Sequence, residues 1–121
     1  MKFDFNNNVP IYIQLVEQMK NYIISGRFEP GERLLSVREL ALKSKVNPNT
    51  MQRALAELEV MGLVFTERTS GRFVTTDKEL INKYKEEYAR EITEKFLASM
   101  EVIGFNKEEA IDYVLRLGGK E

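Results

Sequence analysis

Asn47, Asn49, Thr50, Gln52 and Arg53 crowd into one stretch, NPNTMQRALAEL, which reads as a helix with Asn47 as its cap and Pro48 at its first position. A helix N-terminus carries partial positive charge and usually welcomes Asp or Glu in its first turn. Here the first acid is Glu57. Amide, hydroxyl and guanidinium groups within about two turns of a helix start reach base edges and phosphate oxygens. The chemistry this set can do is therefore recognition of a polyanion, which itself supplies the missing negative charge; acids at these positions would repel it.

Catalysis has little to work with. The chain holds no His and no Cys, and neither a glycine-rich phosphate loop nor a nucleophile elbow. The adjacent acids Glu86-Glu87 and Glu108-Glu109 diverge by about 100° on a helix, so they read as solvated faces and not as paired acid and base or metal ligands. An enzyme is not expected, and neither is a cofactor. The absence of Cys fits a reducing cytoplasm. The start, MKFDFNNNV, lacks the apolar run of a signal peptide, and no stretch approaches the roughly 18 apolar residues of a membrane span. A cytoplasmic protein with no membrane partner is the expectation.

The net charge of −1 averages two unlike halves. Residues 1–76 hold 10 Lys and Arg against 8 Asp and Glu, whereas residues 77–121 hold 8 against 11. From Arg33 to Arg53 the cations Arg33, Arg38, Lys43, Lys45 and Arg53 face only Glu39. A local patch matters more than the total for steering towards phosphate.

Gly and Pro mark the elements that must position these residues. After Pro10, the residues Ile11, Leu15, Met19, Tyr22 and Ile23 are spaced for one helix face, which Gly26 stops. Pro30-Gly31 suits the centre of a type II turn, and a short extended segment over Arg33 to Leu35 follows. Ser36 and Glu39 form a capping box for a helix from Val37 to about Ser44. Lys45-Val46 then turns the chain into the helix that Asn47 caps; its apolar face is Met51, Ala54, Leu55, Leu58 and Met61, and Gly62 ends it. LVFTERTSGRFVTT, rich in β-branched and aromatic residues, predicts a β-hairpin around Thr69-Ser70-Gly71. Thr76 and Glu79 match a second capping box, and Ile81, Tyr84, Tyr88, Ile92, Phe96, Met100 and Ile103 recur at helical spacing up to Gly104. Asn106 and Glu109 cap a last helix carrying Ala110, Ile111, Val114 and Leu115, closed by Gly118-Gly119.

The order helix, short strand, helix, tight turn, helix, hairpin is that of a winged helix-turn-helix, in which the second helix of the pair enters the major groove. The expected fold is mainly α with a small β-hairpin: a winged domain over 1–75 and a two-helix tail over 76–121. Taken singly the site residues have bland explanations, Asn47 as a cap, Thr50 as a structural first-turn residue and Arg53 as a surface charge. Together with Arg38 early in the preceding helix and Arg72 in the hairpin, they favour DNA. Met51, Leu55 and Leu58 read as core.

Residues 10–74, with PGERL, SVRELA, VNPNT and RAL.ELE..GL, closely resemble the DNA-binding domain of GntR-family bacterial transcription regulators. The resemblance implies DNA contacts by Arg38 and by Asn47, Asn49 and Thr50, with Arg53 matching the second of a usual arginine pair. Gln52 stands where the family commonly carries Arg. The wing, Arg-Gly-x-Gly-Thr in the family, is here Arg68-Thr69-Ser70-Gly71-Arg72, which implies a wing contact by Ser70, Gly71 and Arg72 with Gly71 entering the minor groove. Leu35 replaces a proline common before this helix. The short tail resembles the small YtrA-type subgroup, which implies a compact dimeric repressor.

Physics points the same way for the tail. A helix over Asp77 to Ile103 is roughly 40 Å long at about 1.5 Å per residue, against a radius of gyration of about 11 Å for a 75-residue domain. Its apolar stripe needs a partner, and a second copy is the simplest, giving a homodimer through Tyr84, Tyr88, Ile92, Phe96 and Met100. The alternative is a winged-helix module that docks another protein and binds DNA weakly. A small-molecule effector is a possible further partner that no residue pattern supports.

Overall fold

The computed structural model describes residues 2–119. Helix α1 (Ile11–Ile24) starts after Pro10 and ends where Ser25 and Gly26 turn the chain, Gly26 taking a φ of 86°. Its inward residues are Leu15, Val16, Met19, Ile23 and Ile24, with Tyr12 partly buried against the same core. The expected stripe is therefore rotated at its start: Ile11 is exposed and Tyr12 takes the inward place. Pro30-Gly31 makes the turn the sequence predicts, with Gly31 at φ 81° and the Glu32 amide donating to the Glu29 carbonyl at 2.9 Å.

The segment after it runs beside β2 and forms a single antiparallel bridge, Arg33 to Phe73, flanked by the Leu34 amide donating to the Arg72 carbonyl at 2.8 Å and the Val74 amide donating to the Glu32 carbonyl at 2.9 Å. Helix α2 (Val37–Ser44) has its full capping box: the Ser36 hydroxyl accepts from the Glu39 amide at 3.1 Å, and the Glu39 carboxylate accepts from the Ser36 amide at 3.2 Å. Lys45, at φ 58°, adopts the left-handed conformation that closes α2, and the Val46 amide returns to the Ala41 carbonyl. Three residues, Lys45, Val46 and the cap Asn47, thus separate α2 from α3 (Pro48–Val60). The inner face of α3, Met51, Ala54, Leu55 and Leu58, is fully buried. It seats α3 against α1 and α2, with Met51, Leu55 and Leu58 each contributing about 1.5–3 kcal/mol by leaving water.

Strands β1 (Val64–Glu67) and β2 (Gly71–Val74) pair antiparallel with Val64 opposite Val74 and Phe65 opposite Phe73. The period of two sends Val64 and Val74 into the core and leaves Phe65 and Phe73 stacked on the other face, centroids 5.6 Å apart. The result is the winged helix-turn-helix arrangement with a mostly helical chain.

Helix α4 (Lys78–Val102) begins one residue later than the second capping box requires. Asp77 wins the cap: its carboxylate accepts from the Leu80 amide at 3.0 Å, while the Thr75 hydroxyl accepts from the Asp77 amide. A carboxylate there also meets the helix dipole favourably.

The chain divides into two compact units, one ending at Lys85 and one starting at Glu86, so this division falls inside α4. In the first unit Leu80, Ile81 and Tyr84 pack on the core, and the Tyr84 hydroxyl donates to the Met61 carbonyl at 3.1 Å. In the second, α5 (Lys107–Gly118) starts at an Asn106–Glu109 capping box. Gly118 is its last residue and Gly119 its cap, rather than the pair closing it together. Ala110 is buried, and Phe105 meets Tyr113 edge to face.

A part of the fold with no counterpart in the sequence reading is the segment before α1. Two glutamines of α1 hold it by its backbone. The Gln14 amide nitrogen donates to the carbonyls of Asn6 and Val9 at 2.9 and 2.7 Å, and its oxygen accepts from the Asn6 amide at 2.9 Å. Gln18 does the same at Asp4, donating to its carbonyl at 2.7 Å and accepting from its amide at 3.2 Å. Phe3 and Phe5 then pack against the core.

Candidate nucleic-acid interface

The start of α3 is built as its sequence implies. The Asn47 side-chain oxygen accepts from the Asn49 amide at 2.7 Å, so Asn47 is occupied as the cap. Asn49 is exposed, its side chain outside the core, and Thr50 is half-buried. At about 100° per residue, Asn49, Gln52, Arg53 and Ala56 fall opposite Met51, Leu55 and Leu58. They form one exposed face without an acid. Asn47→Ala is expected to lower stability by about 1 kcal/mol through the lost cap, and Asn49→Ala to change it hardly at all. Thermal melting of both variants checks this; an equal drop in the two would show that Asn49 is structural.

Arg38 is exposed in the first turn of α2. Among the described residues, none of Arg33, Arg38, Arg53, Arg68 and Arg72 takes part in an ion pair. Their charge is uncompensated at contact range, which an anion can exploit.

The wing differs in detail from its expected form. Its tip is Arg68-Thr69-Ser70, closed by the Ser70 amide donating to the Glu67 carbonyl at 3.2 Å. Gly71 is not the tip; it leads β2 opposite Glu67 with a φ of 111°. A side chain there would be strained by the backbone and would meet Arg33, whose Nε lies 3.3 Å from where a Cβ would stand. Arg72 is half-buried, with Nε enclosed and without a hydrogen-bond partner. Arg33, Arg68 and Arg72 line one groove with Ser36 and Ser70, and Glu39 and Glu67 also border it. Residues of the wing and of the turn before α2 thus come together.

Two residues at this surface escaped the sequence reading as site residues. Arg33 appeared there in a charge window and at the start of an extended segment, and its position over Gly71 follows from the bridge to Phe73. Tyr12 carries the Arg53 guanidinium over its ring, 3.6 Å from the centroid. No spacing rule links residues on separate helices in this way.

The tail residues divide between the units. Tyr84 is committed to the first, through Met61. In the second, Ile92 and Phe96 are exposed at 52% and 37%, while Tyr88 and Met100 are half-buried. On α5, Ile111, Val114, Leu115 and Leu117 are also exposed. No helix among the described residues is long and apolar enough to cross a membrane.

Known proteins match this arrangement. The chain is 38% identical over 112 residues to the uncharacterized HTH-type transcriptional regulator YhcF of Bacillus subtilis, covering 93% of each. It is 40% identical over 75 residues to the HTH-type transcriptional repressor YtrA of the same organism, covering 62% of this chain and 58% of that one. The solved structure of a GntR family transcriptional regulator from Listeria monocytogenes superposes with a TM-score of 0.84 at 43% identity, over 93% of this chain and 98% of that one. The model of bacterial regulatory proteins of the gntR family matches residues 11–74. With its helix-turn-helix, wing and unpaired arginines in place, the chain belongs to the gntR family of transcriptional regulators.

Proposed function

We propose that the protein is a homodimeric repressor that binds a palindromic operator, with α3 in the major groove and the wing around Gly71 against the flanking backbone. The observation that carries the reading is the exposed, acid-free face of α3, with Asn49, Gln52 and Arg53 beside one another and Asn47 occupied as cap. Asn49 and Gln52 carry the amide that pairs bidentately with adenine, and Arg38, Arg53 and Arg72 are cations for phosphate or guanine. Repression is supported by the likeness to YtrA, a repressor by name. Dimerisation is supported by the apolar stripe centred on Ile92 and Phe96, which a lone chain leaves in water. Twofold symmetry sets half-sites about 34–36 Å apart.

Selection of genomic fragments by the purified protein, followed by footprinting, tests the reading. A protected palindrome supports it, and no protected site overturns it. Affinity should fall steeply with salt, because each neutralised phosphate releases counterions. Arg38→Ala is expected to weaken binding and flatten the log–log salt slope by roughly one unit, as for a phosphate contact. An unchanged slope with lost base preference would make Arg38 a base reader instead.

A further inference from the structure

Arg53 lacks a carboxylate partner among the described residues, yet its guanidinium has a fixed neighbour, the Tyr12 ring at 3.6 Å. We propose that Tyr12 is a positioning residue for Arg53, holding the guanidinium flat so that its N–H edge is presented in one orientation to a bidentate acceptor on DNA. This rests on the DNA-binding reading above.

A cation over a ring uses the face of the guanidinium, whereas its donors lie in the plane and stay free. Stacking therefore orients Arg53 without consuming its hydrogen bonds, which a carboxylate partner would do. The ring is itself held, since Tyr12 packs against the core shared by Leu15, Met19 and Met51. An unstacked arginine loses rotamer freedom when it binds; a stacked one has lost much of it already. The acceptor is a planar pair of oxygens or an oxygen and nitrogen: two phosphate oxygens, or O6 and N7 of guanine. Tyr12 thus places the first turn of α1 beside the reading face of α3.

The test uses the full chain and a labelled duplex selected by the wild-type protein from a random-sequence pool. In the free protein the Arg53 Nε–H resonance is expected to be displaced by the ring current, to keep that displacement in Tyr12→Phe and to lose it in Tyr12→Leu. Tyr12→Leu should bind the duplex about three- to tenfold more weakly, and Tyr12→Phe within about twofold of wild type. Tyr12→Met, which has no aromatic face, repeats the comparison if the leucine variant does not fold. In an Arg53→Ala background, Tyr12→Leu should have no further effect. Under single-base substitution, uniform loss in Arg53→Ala identifies a phosphate acceptor, and loss confined to one guanine identifies a base edge. The proposal is overturned by wild-type affinity in Tyr12→Leu, by equal weakening in Tyr12→Phe, by a loss that persists without Arg53, or by an undisplaced resonance. A wild-type protein that selects no duplex overturns the DNA reading and this role with it, while the resonance separately reports whether the stack exists.

Discussion

Phe96→Glu is expected to convert the protein from dimers to monomers. Phe96 lies near the middle of the stripe, one helical turn from Ile92 and one from Met100, and is still 37% exposed in the single chain. In the proposed dimer Phe96 would be an anchor, and a carboxylate in its place would be buried without a partner, at a cost of several kcal/mol (~). The loss should extend to DNA, because two linked half-site contacts bind about 100- to 10,000-fold more tightly than one. Sedimentation of wild type and variant at micromolar concentrations, with binding to a whole palindrome and to one half-site, measures both effects. A wild-type chain that is monomeric at tens of micromolar (~), where an obligate interface is saturated, sinks the idea. A variant that stays dimeric removes Phe96 from the interface.

Leu55→Ala is expected to be the most damaging substitution in the winged unit that touches no predicted contact. Leu55 is fully buried on the inner face of α3, in the cluster that includes Leu15, Met19 and Leu58. Truncating such a leucine costs about 2–5 kcal/mol, the transfer energy of the lost atoms plus the cavity left behind. Small domains have about 5–15 kcal/mol in all. The melting midpoint should fall by roughly 10–30 °C, at about 4–8 °C per kcal/mol for a domain of this size. At low temperature the folded fraction should keep its base preference, since the substitution leaves the outer face of α3 alone. A midpoint shift of less than about 4 °C, under 1 kcal/mol, would mean that the seat of α3 collapses around the vacancy.

The sequence marked most of the elements because local chemistry set their ends. Ser36 with Glu39 and Asn106 with Glu109 satisfy backbone donors within one turn, and Asn47 accepts from the Asn49 amide while Pro48 has no N–H to satisfy, so neighbours in the sequence carry the whole signal. The misplaced start of α4 shows the same rule in competition: Thr76 and Asp77 both qualify as caps, and only the path of the chain decides between them. The exposed face of α3 was legible because one helix sets the spacing of Asn49, Gln52 and Arg53. What escaped depends on contacts between elements. The Tyr12–Arg53 stack joins α1 to α3, Arg33 meets Gly71 across a bridge, and Tyr84 turns from the tail stripe to Met61. At the wing, the hairpin expected around Thr69-Ser70-Gly71 turns over Arg68-Thr69-Ser70, and the contact that needs glycine is across elements: the lack of a Cβ at Gly71 admits Arg33 beside it.

The glutamine clasp before α1 has a consequence for which letters matter. Gln14 and Gln18 bond to peptide groups, not to side chains, so they recognise the spacing and direction of the arm and are blind to its spelling at Asp4. Information about this segment is thus written in the helix that grips it. The side chain of Asp4 is free to drift, whereas either glutamine, once changed, leaves peptide groups of the arm without their mates.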